Sequence, residues 1–351
     1  MTNSSKPIAL VTGVTGYIAG WVVKYYLDAG YKVRGTTRSK ASAQPLIDTL
    51  VSQGYSASDI EIYEVADITT SGAFDEAVKE VEVIAHLASP VSLSFSDPEP
   101  VIRTAREGTL SILQSAKSLG TSIKTFIQMS SIVAIWDPTV QGAYTFSEKD
   151  WNNAALPMTE KLGKQTPGFI IYMASKVASE KALWKFRDEE QPAFDVVSVN
   201  PAWVSGPPVV SPKDASKISE TILTIWQIFS GKKDFISLGD HSTYVHVFDV
   251  ARLFVWAAQN SAKANGERYL ALAGRGGDQA VMDILSEAYP TRRDVMPQGE
   301  KDQGYTKDYL WPEGGMNFDI SKAVKATGQD WIKYEKVVLD TAKAFEHLVD
   351  L

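Results

Sequence analysis

A tyrosine and a lysine stand four residues apart in Ile170-Ile171-Tyr172-Met173-Ala174-Ser175-Lys176. On a helix that spacing puts both on one side, so an ammonium can sit near a phenol without bonding through it. A free tyrosine titrates near ~10; a neighbouring cation favours the phenolate, and each unit of lowering is worth about 1.4 kcal/mol. A phenol tuned in this way can give its proton to an alkoxide or take it back. Standing alone, the spacing is common as a surface pair. A hydroxyl joins it at the end of the apolar run Phe126-Ile127-Gln128-Met129-Ser130-Ser131, where it can hold and polarise a carbonyl oxygen. Ser131 is the first choice and Ser130 the alternative; either could instead be a small strand-end residue with a local backbone bond.

A second group of residues suits a phosphate. Val11-Thr12-Gly13-Val14-Thr15-Gly16-Tyr17-Ile18-Ala19-Gly20 runs from an apolar strand straight into a helix. Gly13 and Gly16 fall where the chain must turn tightly and let its backbone approach a pyrophosphate, and Ala19 lets helix and strand pack closely. The helix start then offers free N–H groups and a partial positive charge. The strand before and the helix after distinguish this from an ordinary Gly-rich turn.

The end of the second strand reads Gly35-Thr36-Thr37-Arg38-Ser39-Lys40. An acidic residue there would grip the ribose 2′-OH of NAD, but Thr37 occupies the place. Arg38 can stack on adenine and pair with a 2′-phosphate, and Lys40 adds a point charge, so the expected cofactor is NADP(H). The plainer reading makes both a solvated start to the next helix. Asp67, just after the third strand, is placed to accept from the adenine amino group, or to cap the strand end.

These groups need a scaffold, and the chain supplies one. Apolar runs at Pro7–Thr12, Tyr31–Thr36, Ile60–Val65, Val81–Leu87 and Ile123–Met129 alternate with helix-length segments at Tyr17–Ala29, Ala41–Ser52, Phe74–Lys79 and Asp97–Leu119. Ile18, Val22, Tyr25 and Tyr26 recur at helical steps. Strands that are unbroken apolar runs, alternating with helices, predict an α/β fold: a doubly wound parallel sheet covered on both faces. A helix at Ile170–Glu189, strands at Phe194–Val199 and Tyr244–Val247, and a helix N-capped by Asp249 continue the pattern. After Asn200, prolines and glycines crowd together and the text turns irregular. The expected division is a dinucleotide-binding domain of residues 1–200 plus about 240–260, and a smaller, mostly helical C-terminal substrate-binding cap of about 201–239 plus 261–351.

Composition narrows the partners. Hydrophobic residues at 44% and charged residues at 22% of 351 suit a globular chain with a sizeable core. A formal net charge of −7 without a basic run argues against nucleic acid. With no cysteine, thiolate catalysis, disulfides and cysteine metal sites are excluded. His241 and His246, five apart with no carboxylate cluster beside them, do not suggest a metal site. No secretory signal or apolar run of membrane length is present, so a cytoplasmic protein with no membrane partner is expected.

Taken together, Thr12-Gly13-x-x-Gly16-x-x-Ala19, the serine pair before Ile132 and Tyr172-x-x-x-Lys176 resemble the extended short-chain dehydrogenase/reductases. Gly16-Tyr17-Ile18-Ala19, Tyr31-Lys32-Val33-Arg34-Gly35-Thr36-Thr37-Arg38-Ser39, His86-Leu87-Ala88-Ser89 and Tyr172-x-Ala174-Ser175-Lys176 are similar to the NADPH-dependent aldehyde and ketone reductases related to dihydroflavonol reductase. The resemblance implies hydride transfer to a small carbonyl substrate. Ser131 and Tyr172 would bind its oxygen, Tyr172 would donate the proton, and Lys176 would also hold the nicotinamide ribose. It further implies that Thr12, Tyr17, Ile18, Ile68 and Ala88 line the cofactor and that the loop from Pro201 to Val204 touches its carboxamide. Phe95, Trp136, Phe169, Trp203 and Trp226 are expected along an apolar substrate pocket, with plain packing the other reading of each. A nucleotide-sugar epimerase or dehydratase of the same superfamily is the nearest alternative, weakened by Ala105 three residues before Gly108 and by Ala19. A non-catalytic NADP-binding redox sensor is a further one, and such proteins typically lose the Tyr–Lys pair. A monomer or homodimer is expected.

Overall fold

The computed structural model of the chain describes residues 6–92, 94–237, 239 and 243–349. Its strands are β1 (Ile8–Thr12), β2 (Lys32–Thr37), β3 (Ile60–Glu64), β4 (Val83–His86), β5 (Thr125–Met129), β6 (Tyr144–Phe146), β7 (Asp195–Pro201), β8 (Trp203–Ser205), β9 (Thr243–His246), β10 (Arg268–Ala271), β11 (Gly274–Arg275) and β12 (Met316–Phe318). The helices are α1 (Tyr17–Asp28), α2 (Gln44–Ser52), α3 (Pro98–Leu119), α4 (Ala155–Leu162), α5 (Gly168–Glu190), α6 (Glu220–Ser230), α7 (Val247–Gln259), α8 (Ser261–Ala264), α9 (Asp278–Ala288), α10 (Ser321–Thr327) and α11 (Tyr334–Lys343).

Seven strands form the main sheet in the order β10-β7-β5-β4-β1-β2-β3. Pairing is parallel from β3 through β7, with Val11 opposite Gly35 on one side and Ala85 on the other. The chain winds outward from β1 in one direction through β2 and β3, then in the other through β4, β5 and β7. That reversal makes the ends of β1 and β4 the switch point where such sheets bind ligands. On one face, Leu10, Ile84, Phe126 and Val196 pack with Ile112 and Leu113 of α3 and Leu183 and Phe186 of α5. β1, β4 and β5 are buried on both faces and have no solvent side for polar alternation, so they read as apolar runs, whereas the edge strand β3 exposes Glu61 and Glu64.

The chain divides into two compact units. The first comprises 1–140, 148–200 and 251–269 and carries the main sheet. The second comprises 141–147, 201–250 and 270–351. It contains α6 and α9 to α11, a three-stranded sheet β11-β9-β8, and the pair β6-β12. Residues 141–147 fall in the second unit because β6 pairs with β12 in register, Phe146 opposite Phe318, and their rings stack at 5.5 Å. Among the described residues no helix is long and apolar enough to cross a membrane.

Two expectations need correction. Residues 74–79 form turns rather than a helix. Arg34 of β2, 5% exposed, takes the carbonyls of Ala77 and Lys79 at 3.0 and 2.6 Å, so these acceptors serve a long-range clasp instead of a helical ladder. Asp249 is not an N-cap: α7 already begins at Val247, and the Asp249 carboxylate accepts the Ile332 N–H at 2.9 Å. Trp226 is 7% exposed and packs edge-on against Phe345 at 5.6 Å within the second unit.

Candidate active site

Gly13 adopts φ +66°, a conformation that costs other residues roughly 1–2 kcal/mol. A Cβ there would lie 3.1 Å from the Ala88 Cα, so the loop after β1 rides directly on the backbone after β4. Gly16 is exposed and starts α1, whose first turn has neither a capping side chain nor an acid. The N–H groups at that helix start are therefore left for an external acceptor. Loop and helix start together fit the pyrophosphate of a dinucleotide. Ala19, 2% exposed, is the close-packing position. Tyr17, Ile18 and Ala88 are half-buried around it, and Ile68 packs where a Gly108 Cβ would sit, at 2.6 Å.

Thr12 staples the two strand ends. Its Oγ1 accepts the N–H groups of Leu87 and Ala88 at 3.0 and 2.9 Å and lies 3.0 Å from His86 Nδ1. With both lone pairs taken, the hydroxyl donates to Nδ1, which must be unprotonated. Burial, with the Lys176 cation adding to it, pushes the His86 imidazole down to about 3. A base depressed in this way contributes stability that is complete above its ordinary value of 6.5 and drains as pH falls toward 3. The expected loss is about 1.4 kcal/mol per pH unit from this group. His86→Asn, which keeps an acceptor for Thr12, should flatten the fall in urea-unfolding free energy between pH 6.5 and pH 5; an unchanged slope would show that the imidazole is not held neutral.

At the end of β2, Thr37 is buried with its Oγ1 2.9 Å from Ser42 Oγ. Arg38 is exposed and makes no hydrogen bond or ion pair among the described residues. Lys40 is exposed as well, and its backbone N–H donates to Glu64 at 3.3 Å. Asp67 is exposed and its Oδ1 accepts both the N–H and the hydroxyl of Thr69 at 2.8 Å, which hold the carboxyl below its usual range. That is a turn-capping role, played by one of its two oxygens.

Tyr172 and Lys176 lie on α5 as the four-residue spacing requires, with Lys176 Nζ 5.9 Å from the Tyr172 ring centre. Tyr172 is half-buried; Lys176 is 4% exposed. Burial lowers the Lys176 ammonium to about 8, and Glu180 one turn on opposes the fall. Ser131 follows β5 and caps a short turn at Ile132–Ala134, which packs against α5. Among the described residues its hydroxyl makes one long hydrogen bond, accepting the Val133 N–H at 3.4 Å. Ser130, by contrast, donates to Glu180 at 2.6 Å and is committed inward.

Sequence reasoning did not single out Glu180 or Arg268. Glu180 is fully buried, and burial alone would raise its carboxyl; Arg268 on β10, with Ser130 and Asn200, holds it down. Arg268 Nε and Nη2 lie 2.7 and 3.2 Å from the two carboxylate oxygens. The available signal was Glu180 at four residues from Lys176 on one helix; Arg268, 88 residues away, gave none.

Of the expected pocket residues in the first unit, Phe95 and Trp136 are half-buried, and Phe169 is 38% exposed, its ring stacked 6.5 Å from Tyr172. In the second unit, Trp203 Nε1 donates to the Thr221 carbonyl at 2.6 Å, Pro201 closes β7, and Val204 is 2% exposed within β8. His241 lies outside the described residues, and no group of three potential metal ligands occurs among those described.

Residues 9–271 match the NAD dependent epimerase/dehydratase family. A putative uncharacterized oxidoreductase of Schizosaccharomyces pombe is 35% identical, covering 84% of this chain and 86% of its own. A putative NADPH-dependent methylglyoxal reductase of Candida albicans is 29% identical over 96% of this chain and 98% of its own. The crystal structure of a yeast methylglyoxal/isovaleraldehyde reductase complexed with NADPH superimposes with a TM-score of 0.83, at 26% identity, covering 97% of this chain and 98% of that one.

Proposed function

Because the chain belongs to the NAD dependent epimerase/dehydratase family, we propose that it is an NADPH-dependent carbonyl reductase that converts a small aldehyde or ketone to an alcohol. The observation that carries this reading is the buried Lys176 ammonium 5.9 Å from the ring of Tyr172, on a helix packed against the turn that Ser131 caps. The names of the relatives, which act on methylglyoxal and isovaleraldehyde, support the substrate class.

Gly13, Gly16 and the start of α1 would hold the pyrophosphate, on a loop that Thr12 ties to the backbone after β4, and Arg38 with Lys40 the 2′-phosphate. When bound, the dinucleotide supplies hydride to the carbonyl carbon. Ser131 donates a hydrogen bond to the carbonyl oxygen and so stabilises the charge that develops there. Tyr172 donates its Oη proton to that oxygen as it becomes an alkoxide. The Lys176 cation eases loss of that proton by favouring the phenolate.

The test is consumption of NADPH, with NADH in parallel, against methylglyoxal, branched aliphatic and aryl aldehydes and α-keto esters. Turnover with NADPH preferred is expected. Tight cofactor binding without turnover of any carbonyl would overturn the proposal.

A further inference from the structure

One carboxylate collects five donors in the first unit. Glu180 Oε2 accepts from Ser130 Oγ at 2.6 Å, Asn200 Nδ2 at 2.7 Å and Arg268 Nη2 at 3.2 Å. Oε1 accepts from Arg268 Nε at 2.7 Å and Trp184 Nε1 at 3.2 Å. Asn200 shares its amide with the Ser131 carbonyl at 3.2 Å, and its Oδ1 accepts the Ser198 hydroxyl at 3.0 Å. Arg268 is itself fixed by the carbonyls of Glu148 and Asp150 and lies 4.0 Å over the Trp151 ring. Glu180, Asn200 and Ser198 are fully buried.

A charge this deep is expensive, and an apolar pair of the same shape often serves stability as well or better. The connections suggest what else it does. Glu180 grips Ser130, which precedes Ser131, and through Asn200 it also holds the Ser131 main chain. On its own helix it stands one turn beyond Lys176 and two beyond Tyr172.

Resting on the reductase reading, we propose that Glu180 is a positioning residue: it ties the serine-bearing end of β5 to the turn of α5 that carries Lys176, and so fixes Ser131, Tyr172 and Lys176 relative to one another. Misplacement of such groups by about 1 Å can cost on the order of 100-fold in rate. Among the described residues, Glu180 on α5 acts on Lys176, which itself faces the Tyr172 ring at 5.9 Å and acts on His86 of β4; Arg268 on β10 acts on Glu180. His86 is neutral, so Glu180 is the anion that favours the charged lysine.

The decisive variant is Glu180→Gln with Arg268→Met in the full chain, which removes both buried charges and leaves neither unpaired. Asn200→Ala is its companion, cutting the link to the Ser131 carbonyl while keeping the ion pair. Four properties are read: the unfolding temperature, NADPH affinity by calorimetry, kcat and KM separately, and the Lys176 titration by NMR of lysine ¹³Cε in the cofactor-free protein, assigned with Lys176→Arg. For the double variant we expect an unfolding temperature near that of the parent and KM and NADPH affinity within about threefold. Its kcat should fall about 10- to 100-fold, and Lys176 should titrate about one pH unit lower. Asn200→Ala should lower kcat about 10-fold and leave the Lys176 titration in place.

A folded double variant with parental kcat and an unmoved Lys176 overturns the proposal, since Glu180 would then only balance Arg268. Should the double variant not fold, parental kcat in Asn200→Ala overturns it. A parent protein that reduces no carbonyl refutes the reductase reading instead. The Lys176 titration, which needs no turnover, then decides the role of Glu180.

Discussion

Tyr172→Phe is expected to lower kcat about 10²- to 10⁴-fold, the usual contribution of a positioned general acid. The variant removes one oxygen and little else. Tyr172 is half-buried, its ring stacks on Phe169 at 6.5 Å, and a phenylalanine fills the same place. The loop proposed to hold the pyrophosphate joins β1 to α1, which the substitution does not touch, so NADPH affinity should stay within about twofold. Steady-state kinetics beside a binding isotherm separates the two. A variant that kept a tenth or more of its activity (about 1.4 kcal/mol or less of lost stabilisation) would show that the proton comes from elsewhere. The same result would remove the reason for the buried Lys176.

The second large effect concerns the cofactor. Arg38→Ala should weaken NADPH binding about 10- to 100-fold, because a charged hydrogen-bonding pair is worth roughly 1.5–3 kcal/mol. Affinity for NADH should not change. Arg38 is suited to this role because it is exposed, lies just after β2 and has no partner among the described residues. Thr37 cannot substitute, since its hydroxyl is turned to Ser42. Binding isotherms for the two cofactors test the prediction; equal losses for both would place Arg38 on the adenine or the ribose common to them, and would leave the 2′-phosphate to Lys40.

The parts of the fold legible in the sequence were those set by local chemistry. Gly13 and Gly16 between an apolar run and a helical stripe fixed β1 and α1, because tight turns and helix starts depend on neighbours a few residues apart. Tyr172 and Lys176 were readable for the same reason. What escaped was set at long range. Nothing near residues 74–79 reveals that Arg34, more than 40 positions earlier, will take their carbonyls. Asp249 looked like a cap because helices often begin after an acidic residue, but its carboxylate is bound to a backbone N–H 83 residues away. The sequence put Ser131 first and Ser130 second, but two adjacent serines offer no local sign of which one is committed elsewhere. The structure gives Ser130 to Glu180 at 2.6 Å and leaves the Ser131 hydroxyl, among the described residues, with one long bond of 3.4 Å.

The Glu180–Arg268 pair also governs how the chain can be cut and recombined. Its members are 88 positions apart, and most of the intervening chain, residues 201–250, belongs to the second unit. A fragment ending at Asn200 would hold every residue assigned here to chemistry, yet its buried carboxylate would lack a counter-charge, a defect of about 3–5 kcal/mol. Stabilities of ordinary domains are only about 5–15 kcal/mol. The first unit is thus no detachable cassette. A chimera that exchanges the second unit must leave residues 251–269 with the first, so the exchange takes three grafts, 141–147, 201–250 and 270–351. During synthesis, too, the serine-bearing strand end acquires its final support only after residue 268 has left the ribosome, long after Ser131, Tyr172 and Lys176 have been made.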